Sequence, residues 1–513
     1  MASKPFRVPC IGPYTTRISA TTTPASSSGY VGIGIVGVMI VGQTTAASTK
    51  DARFLNCFPQ TVPDAITGTK KVWAVKRPGW GTNSTPASGK KGFAILVWTG
   101  SGAGTSIISA FDTTSTIYSG TTSLGAITGQ CTGITETKVG SAPQTPTLVV
   151  SSNNNTAWYY DTGVGVMTQI TSGNFPGTAP QSRTLAGTFV HKDGYAAIMT
   201  TEGELWASDL NSVTAWTATS FDTANSYPDK GVAAVRFKNF IMCFGSESIE
   251  FFYTTGLTPF PFSKASTMTL KVGAVSADAI TAISDTVFWC GSTPQGGLSV
   301  FQFDGSISRI STPELDSIII LAGAGNITLS TVRIYGRSFV LVTAGNTTIG
   351  LSVYAYCVEE KHWGQWLFTT QIPYKTAAVS MGGTMVNYAV SNISTSGKVY
   401  LQNNAALVFT DDTVAYSAIM QMDEMDLGTE KRKFWTEVEL VADRETSASA
   451  IALSYSDDNY QSTTTWGNLD LSDARPRATR LGSSRRRAWI LTHAAATPMR
   501  IRTLVGSAEI GST

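Results

Sequence analysis

The sequence predicts an all-β protein, and two features of the residue pattern indicate this class. Apolar residues alternate with polar ones or form short runs rich in Val, Ile, Thr and aromatics, as in residues 93–98, 240–244 and 339–342. Turn-forming pairs such as Asp193-Gly194 and Gly382-Gly383 separate the runs at hairpin distances. Helical periodicity is nearly absent, so we expect β-sheets to bury these runs.

Short aromatic strands, each followed by a polar or glycine turn, recur along the middle of the chain. One aromatic residue in each strand marks the repeat: Tyr118, Tyr160, Trp206, Phe252, Phe303, Tyr356 and Tyr400. Successive members of this series are 42, 46, 46, 51, 53 and 44 residues apart. A period of about 40–50 residues suits one four-stranded blade of a β-propeller. The spacing therefore predicts a six-bladed β-propeller over residues 66–410. A string of β-sandwiches is the alternative, with similar strands at less regular intervals.

Composition sets two further regions apart. Residues 411–513 concentrate Arg and Lys and contain alternating strands at 434–441 and 500–505, which predicts an additional C-terminal β domain, here called the platform domain. Residues 1–65 form an N-terminal β segment with a glycine-rich apolar run at 31–42. We expect this segment to pair with the platform domain or with a neighbouring subunit.

The apolar run at 31–42 was tested against three other interpretations. At twelve residues it is shorter than the ~20 that a membrane-spanning helix needs, and the prolines before it do not fit a signal peptide. Its glycines have GxGxxG spacing, but no βαβ pattern follows. We therefore expect no membrane insertion and interpret the run as strands buried against a partner. The candidate subunit-interface residues are Ile33, Ile35, Val38 and Ile40.

Charge and cysteine usage exclude several functions. The formal net charge is +2 and charged residues make up only 14% of the chain, so no overall attraction to nucleic acid or membranes is expected. The six cysteines are widely spaced without any zinc-binding pattern. Several lie in apolar strands, which predicts free buried thiols and synthesis in a reducing compartment.

The residue patterns contain no recognisable catalytic site. The histidines His191, His362 and His493 lack metal-binding or triad spacing, and no nucleophile-elbow or phosphate-loop motif occurs. The acidic pairs at 359–360 and 423–424 could supply two carboxylates, but adjacent strand residues point to opposite faces. We therefore predict a protein that is not an enzyme, with no catalytic, metal-binding or cofactor-binding residues and no cofactor.

Basic residues of the platform domain are the remaining candidates for a functional site. A contact between stacked rings is the favoured interpretation, and contact with DNA phosphates or a plain solvated hairpin are the alternatives. On a strand, Arg485 and Arg487 would point one way and Arg486 the other. The candidate residues for an inter-ring or DNA-channel contact are Lys431, Arg432, Lys433, Arg485, Arg486 and Arg487.

Four short segments resemble the packaged-DNA stabilisation proteins of short-tailed (podovirus) bacteriophages, which are also called tail hub or nozzle proteins. The first is Arg53–Pro59 followed by Lys76–Gly79, and the second is Val235–Ser246 with Ile249–Phe252. The third is Leu453–Asp458, a serine-aspartate-aspartate hairpin with Trp466 further along, and the fourth is Arg485–Trp489. The resemblance covers most of the chain from residue 53 onward, whereas residues 1–50 match nothing in the family.

The resemblance implies a structural subunit of the virion, in the phage tail, assembled in the host cytoplasm. Such subunits form a homo-oligomeric ring, usually a homohexamer, below the portal and the adaptor (head-completion) protein. The ring would surround the genomic DNA in its lumen, retain the packaged DNA and conduct it during DNA ejection. Tail fibre, spike or needle proteins would be further partners. The alternative is a carbohydrate-binding or carbohydrate-cleaving β-propeller, such as a host-surface adhesin or a sialidase-like enzyme, because the Ser456–Asp458 turn also resembles a sialidase hairpin.

Overall fold

The computed structural model describes residues 3–9, 31–32, 53–63, 70–100, 104–113, 115–224, 226–292, 296–346, 350–368 and 372–511. Within them lie 43 strands, β1–β43 in chain order, one α-helix and two short 3₁₀ turns, which confirms the all-β prediction. The chain divides into two compact units. Unit 1 comprises residues 1–80, 352–369 and 407–513, and unit 2 comprises residues 81–351 and 370–406.

Five four-stranded antiparallel sheets follow one another along unit 2. The first contains β7–β10 (Gly92–Trp98, Ser106–Phe111, Thr116–Ser119, Thr122–Ala126), and the second β11–β14 (Cys131–Val139, Thr145–Ser152, Ala157–Asp161, Val166–Gln169). The third contains β15–β18 (Leu185–Lys192, Tyr195–Thr200, Glu204–Ser208, Trp216–Thr223), and the fourth β19–β22 (Gly231–Phe237, Phe240–Gly245, Ile249–Thr254, Phe262–Leu270). The fifth contains β23–β26 (Ile280–Ile283, Thr286–Ser292, Leu298–Phe303, Ile307–Arg309).

A sixth sheet of unit 2 joins the two ends of the propeller. It contains β31–β33 (Lys375–Met381, Thr384–Val390, Val399–Asn403) and, as its fourth strand, β6 (Gly81–Ser84), which precedes the first sheet in the chain. Tyr400 on β33 pairs with Thr82 on β6 in antiparallel register. The backbone of an early strand therefore completes the last sheet, so that the ring is closed by hydrogen bonds as well as by packing.

The hairpin of β27 (Ile327–Ile334) and β28 (Arg337–Asn346) occupies one further position in the ring. Its strand β27 contacts β23 on one side and β31 on the other. The buried Asn387 of β32 accepts a hydrogen bond from the backbone N–H of Arg333 (2.9 Å) and donates one to the Arg333 carbonyl (2.7 Å). The described residues thus place seven positions around the ring, six four-stranded sheets and this hairpin, where the sequence predicts six blades.

The aromatic repeat marks the same strand in every sheet. The residues Tyr118, Tyr160, Trp206, Phe252, Phe303 and Tyr400 all lie on the third strand of a four-stranded sheet. Apolar clusters fill the spaces between neighbouring sheets; Ile108 and Leu148, for example, belong to one cluster drawn from the first two sheets. Similar clusters follow around the ring. Burial of aromatic and branched side chains between sheets is what holds a propeller together.

Local turn chemistry agrees with the predicted hairpins. Asp193 and Gly194 both have positive φ angles (51° and 88°), as do Gly382 and Gly383 (56° and 81°). Two consecutive positive φ angles define the type I′ turn that matches strand twist. The α-helix α1 (Pro313–Ala322) was not predicted, although Thr312 caps its first turn and Pro313 begins it, a combination typical of helix starts. The 3₁₀ turns are Ala277–Ala279 and Ala324–Asn326.

Unit 1 is a two-sheet sandwich. One sheet contains β1 (Ser3–Pro9), β2 (Val31–Gly32), β4 (Cys57–Pro63), β5 (Lys70–Lys76), β37 (Lys433–Ala442), β40 (Arg477–Thr479), β41 (Ser483–Ser484) and β43 (Arg500–Ile510). The other contains β3 (Arg53–Leu55), β29 (Gly350–Cys357), β30 (His362–Trp366), β36 (Ala418–Gln421), β38 (Ala450–Ser456), β39 (Thr464–Asp470) and β42 (Ala488–His493). A small hairpin joins β34 (Thr410–Asp411) and β35 (Val414–Ala415).

The core of unit 1 lies between these two sheets. Val438 and Leu504 come from the first sheet, and Leu453 and Leu491 from the second, and all four have at most 2% exposure. Strand β1 pairs antiparallel with β43. The segment 352–369, which the sequence analysis assigned to the propeller, belongs to this unit. The candidate interface residues Ile33, Ile35, Val38 and Ile40 lie outside the described residues.

The cysteine prediction is confirmed for the described part of the chain. Cys57, Cys131, Cys243, Cys290 and Cys357 are all buried, and none of the five forms a disulfide. Burial raises the pKa of the Cys131 and Cys290 thiols to about 12 each, so these thiols are inert small apolar groups. None of the described helices has the length and apolar character needed to cross a membrane.

Candidate functional site

Two basic segments that are far apart in sequence meet at one end of unit 1. The start of β37 pairs with β41, which places Lys433 opposite Ser484. Residues 485 and 486 form the bend between β41 and β42. The Lys433 ammonium donates a hydrogen bond of 2.6 Å to the carbonyl of Arg485. The structure therefore brings all six predicted basic residues together, and we call this set the basic cluster.

Four members of the basic cluster are exposed: Lys431, Arg432, Arg485 and Arg486. Arg486 forms an ion pair of 2.6 Å with Glu430, and Arg432 donates to the hydroxyl of Ser483. Within the described residues Lys431 and Arg485 have no ion pair. Because Arg485 and Arg486 lie in a bend, the strand alternation expected for 485–487 is wrong for this pair: both side chains are exposed.

Acidic residues lie beside the exposed cations. The pKa of Arg486 is raised by its hydrogen bond to Glu430 and further by the charges of Glu430, Glu424 and Asp426. A mixed surface of this kind does not attract a polyanion as a uniformly basic face would. It is better suited to a protein surface that carries both signs of charge.

The other two members of the basic cluster are buried, so their side chains are not available to a neighbouring ring or to DNA in this structure. The Arg487 guanidinium binds both carboxylate oxygens of Asp457, at 2.7 Å each, and donates to the carbonyl of Leu481. It lies 3.8 Å from the ring centroid of Tyr455. Lys433 has no exposed surface, and its ammonium is held by backbone carbonyls. Sequence alone could not distinguish these two from their exposed neighbours.

The hairpin at Ser456–Asp458 is a turn held by a carboxylate. The Asp458 carboxylate accepts hydrogen bonds from the Ser462 hydroxyl and backbone N–H and from the Ser456 hydroxyl. The hydrogen bond from the Ser462 side chain contributes most to lowering the pKa of Asp458 to about 2. The third and fourth segments of the family resemblance therefore meet, because Asp457 of one binds Arg487 of the other.

The first segment of the resemblance forms a second buried ion pair. Arg77 and Asp411 have no exposed surface and are joined by two hydrogen bonds of 2.5 and 3.1 Å. The Arg77 Nε atom donates to the side-chain oxygen of Asn56 at 3.0 Å. The Tyr416 ring lies 4.1 Å from the guanidinium. Burial disfavours the charged guanidinium, but Asp411 and Tyr416 raise the pKa of Arg77. The motif residue Arg77 is therefore part of a buried ion pair inside unit 1.

One buried cluster places a serine hydroxyl against a histidine ring, but with a lysine where a catalytic triad has a carboxylate. The His493 ring lies between the Lys76 ammonium (Nδ1, 3.4 Å) and the Ser449 hydroxyl (Nε2, 2.9 Å). All three residues have no exposed surface, so a substrate could not reach the hydroxyl. Burial, and secondly the Lys76 charge, lower the pKa of His493 to about 4, which keeps the ring neutral. No sequence motif marks this cluster, because Lys76 and His493 lie 417 residues apart.

The histidines and acidic residues assemble no metal centre in the described residues. No group of three or more His, Cys, Asp or Glu side chains there is close enough to hold a metal ion. His362 is buried, and burial lowers its pKa to about 3. His191 is only partly buried, and its Nδ1 atom lies 2.8 Å from the hydroxyl of Thr137.

The fold and these contacts define a β-propeller protein whose motif residues brace the structure instead of forming a reaction centre. A family model described as "Bacteriophage P22 Gp10, beta-propeller" matches residues 113–374, about half of the chain. The chain belongs to this family of phage stabilisation proteins. It is therefore a phage structural protein and a component of the virion, and membership of the family favours a structural over a catalytic role.

Other comparisons add little. No curated protein matches the chain in sequence. A chain of the "Crystal Structure of Mitotic Checkpoint Complex" is similar at 10% identity and a TM-score of 0.39, over 76% of this chain and 99% of that one. The "computationally designed Ika8 protein" is similar at 11% identity and a TM-score of 0.32, over 63% of this chain and 99% of that one. At these TM-scores neither likeness bears on function.

Proposed function

We propose that this chain is a tail hub, or nozzle, subunit that forms a ring of six copies around the DNA exit channel. The ring lies below the portal and the adaptor protein, retains packaged DNA and conducts it on infection. The observation that carries this proposal is the family match over residues 113–374. Partners are further copies of the chain, the adaptor, a fibre, spike or needle protein, and the genomic DNA in the lumen.

The electrostatics of unit 1 favour protein contact over DNA contact for the basic cluster. Its exposed Arg486 lies beside Glu424, Asp426 and Glu430, and the net charge of the whole chain is only +2. A DNA conduit requires weak contacts, because tight phosphate binding would stop the DNA from sliding. We assign Lys431, Arg432, Arg485 and Arg486 to a contact with a neighbouring ring.

The experiment measures assembly and DNA retention separately. Light scattering and electron microscopy of the purified chain, alone and with the adaptor, should show a ring of defined copy number. Phage particles made without the chain should lose their packaged DNA. A chain that stays monomeric in the presence of the adaptor would overturn the proposal.

A charge-reversal pair tests the assigned contact. Lys431→Glu with Arg485→Glu should weaken binding to the adaptor and reduce its dependence on salt. Lys91→Glu, an exposed substitution in unit 2, serves as the matched control and should leave binding unchanged. Equal binding by the unmodified chain, the charge-reversed pair and the control would contradict the assignment of the basic cluster to the interface.

The carbohydrate alternative makes a different prediction. A sialidase-like site needs an accessible arginine to hold a carboxylate, but Arg487, the arginine at the Ser456–Asp458 hairpin, is buried and bound to Asp457. A glycan-dependent rise in melting temperature of a monomeric chain would favour this alternative over the tail hub.

A further inference from the structure

A cavity of about 450 Å³ lies among the first strands of three successive propeller sheets, β11, β15 and β19. First strands of neighbouring sheets contact one another around the ring, as β11 does with β15 and β15 with β19. They therefore form the inner wall of the propeller. The volume falls within the range of about 300–1,000 Å³ that small-molecule sites occupy.

Two unpaired cations line this cavity, Lys138 from β11 and Arg236 from β19. Both side chains are exposed, and neither has an ion pair within the described residues. His191 on β15 also lines the cavity. Burial lowers the pKa of His191 most, and the charges of Arg236 and Lys138 lower it further. The two cations are thus close enough to act on the same space.

The acidic groups nearby do not cancel this charge. Asp193 raises the pKa of His191, but its carboxylate is already bound to the Lys192 ammonium and the Thr254 hydroxyl, at 2.6 Å each. Glu136 lines the cavity too; its carboxylate lies beside Gly100, and burial raises its pKa while Lys138 opposes the rise. One free carboxylate therefore faces two free cations.

Hydrogen-bond donors accompany the charge. The His191 Nδ1 atom is engaged with the Thr137 hydroxyl at 2.8 Å, while Nε2 has no partner within the described residues. A wall of apolar side chains, including Val190 and Val235, completes the lining. A phosphate group fits such a site, because cations and neutral N–H donors both bind its oxygens.

We propose that this cavity binds a small ligand through a phosphate group held by Lys138, Arg236 and His191. The ligand is of mononucleotide size or smaller, since a cavity of about 450 Å³ cannot admit a DNA duplex, whose major groove alone is about 12 Å wide. The proposal does not depend on ring assembly or on DNA retention, so either can fail without the other.

Isothermal titration calorimetry with inorganic phosphate and with adenosine monophosphate tests the proposal. The unmodified chain should bind at least one of them at a single site. Lys138→Gln and Arg236→Gln should each weaken binding about tenfold or more, because each removes a charge-assisted hydrogen bond. Lys230→Gln, an exposed substitution that lies outside the cavity lining, should bind like the unmodified chain.

The two ligands distinguish the source of the phosphate. Equal affinity for both indicates recognition of the phosphate alone, and tighter binding of the nucleotide indicates that the apolar wall contacts the base. Melting temperatures of the variants should equal that of the unmodified chain, since both side chains are exposed. No binding of either ligand at about 10 mM, a concentration that detects even weak sites, would overturn the proposal. Undiminished binding by a variant that combines Lys138→Gln with Arg236→Gln would overturn it too.

Discussion

Arg487 and Asp457 form a two-point ion pair, with Nε–Oδ1 and Nη2–Oδ2 distances of 2.7 Å, in which the arginine is buried and the aspartate about one-third exposed. The pair joins β42 to the hairpin after β38. Trp435, Tyr455 and Trp489 surround the guanidinium. Two motifs that lie 30 residues apart in sequence therefore act as one structural element of unit 1.

Removing Asp457 should destabilise unit 1. Asp457→Ala leaves the buried guanidinium without its carboxylate, at a cost of about 2–3 kcal/mol, less than the roughly 3–5 kcal/mol for a fully buried pair because Asp457 is partly exposed. In calorimetry, the unfolding transition of unit 1 should move to a lower temperature. Arg486→Ala, which breaks the exposed pair with Glu430, is the control and should leave that transition nearly unchanged. Equal effects of the two substitutions would contradict the assigned roles.

The same pair shows the limit of reading the candidate site from sequence. The run at 485–487 indicated a basic surface, and its members at 485 and 486 are exposed, but Arg487 is buried. Its partner Asp457 belongs to another strand pair, so only the three-dimensional contact distinguishes a bound cation from a free one. The proximity of Lys433 to Arg485 has the same origin, since it depends on the pairing of β37 with β41.

The fold was predicted better than the site because the strands of one blade are neighbours in the sequence. Residues such as Trp206 and Phe252 lie on third strands, and each sheet is made of consecutive hairpins, which leave a regular period in the sequence. The period also holds at Tyr356, whose strand β29 follows β27 and β28 in the order of its sheet, although most of β29 belongs to unit 1. The pairing of β6 with β33, which closes the ring, could not be predicted, because the two strands are more than 300 residues apart in the sequence.

A second prediction concerns the fully buried pair of Arg77 and Asp411. Asp411→Asn should destabilise unit 1 by about 3–5 kcal/mol, because it removes the charge that offsets the buried guanidinium. Arg77→Met with Asp411→Leu should cost less than the sum of the single changes, since no uncompensated charge remains. A double-mutant cycle measured by chemical denaturation gives the coupling. Additive effects would show that the two residues do not act as a pair.

A third prediction concerns Asn387, which joins β32 to the hairpin of β27 and β28. Its amide satisfies both the N–H and the C=O of Arg333 and also donates to Gln402 at 3.1 Å. Asn387→Leu would leave the backbone N–H of Arg333 without its partner, at a cost of about 1–3 kcal/mol, whereas the Arg333 carbonyl still accepts a hydrogen bond from Asn404. The melting temperature of unit 2 should fall by several degrees. Asn83→Leu, at an exposed position, is the control. An unchanged melting temperature for Asn387→Leu would mean that this bridge does not stabilise the ring.

The fourth prediction is a loss of stability in acid that originates in unit 1. The pKa of His493 is about 4 and that of His362 about 3 in the folded chain, against 6.5 for an unperturbed histidine, and burial is the main cause in both. Between these values the unfolded chain binds more protons than the folded one, so the free energy of unfolding falls as pH decreases. The contribution of each histidine is complete above pH 6.5 and is lost as pH falls towards 4 or 3. For His493 the loss is on the order of 3 kcal/mol. Denaturation of the chain at pH 7.5, 6, 5 and 4 measures it, and His493→Gln, which retains hydrogen bonding without titrating, should flatten the profile. His191→Gln, at a less buried position, should flatten it less, and a profile unaltered by His493→Gln would contradict the assignment.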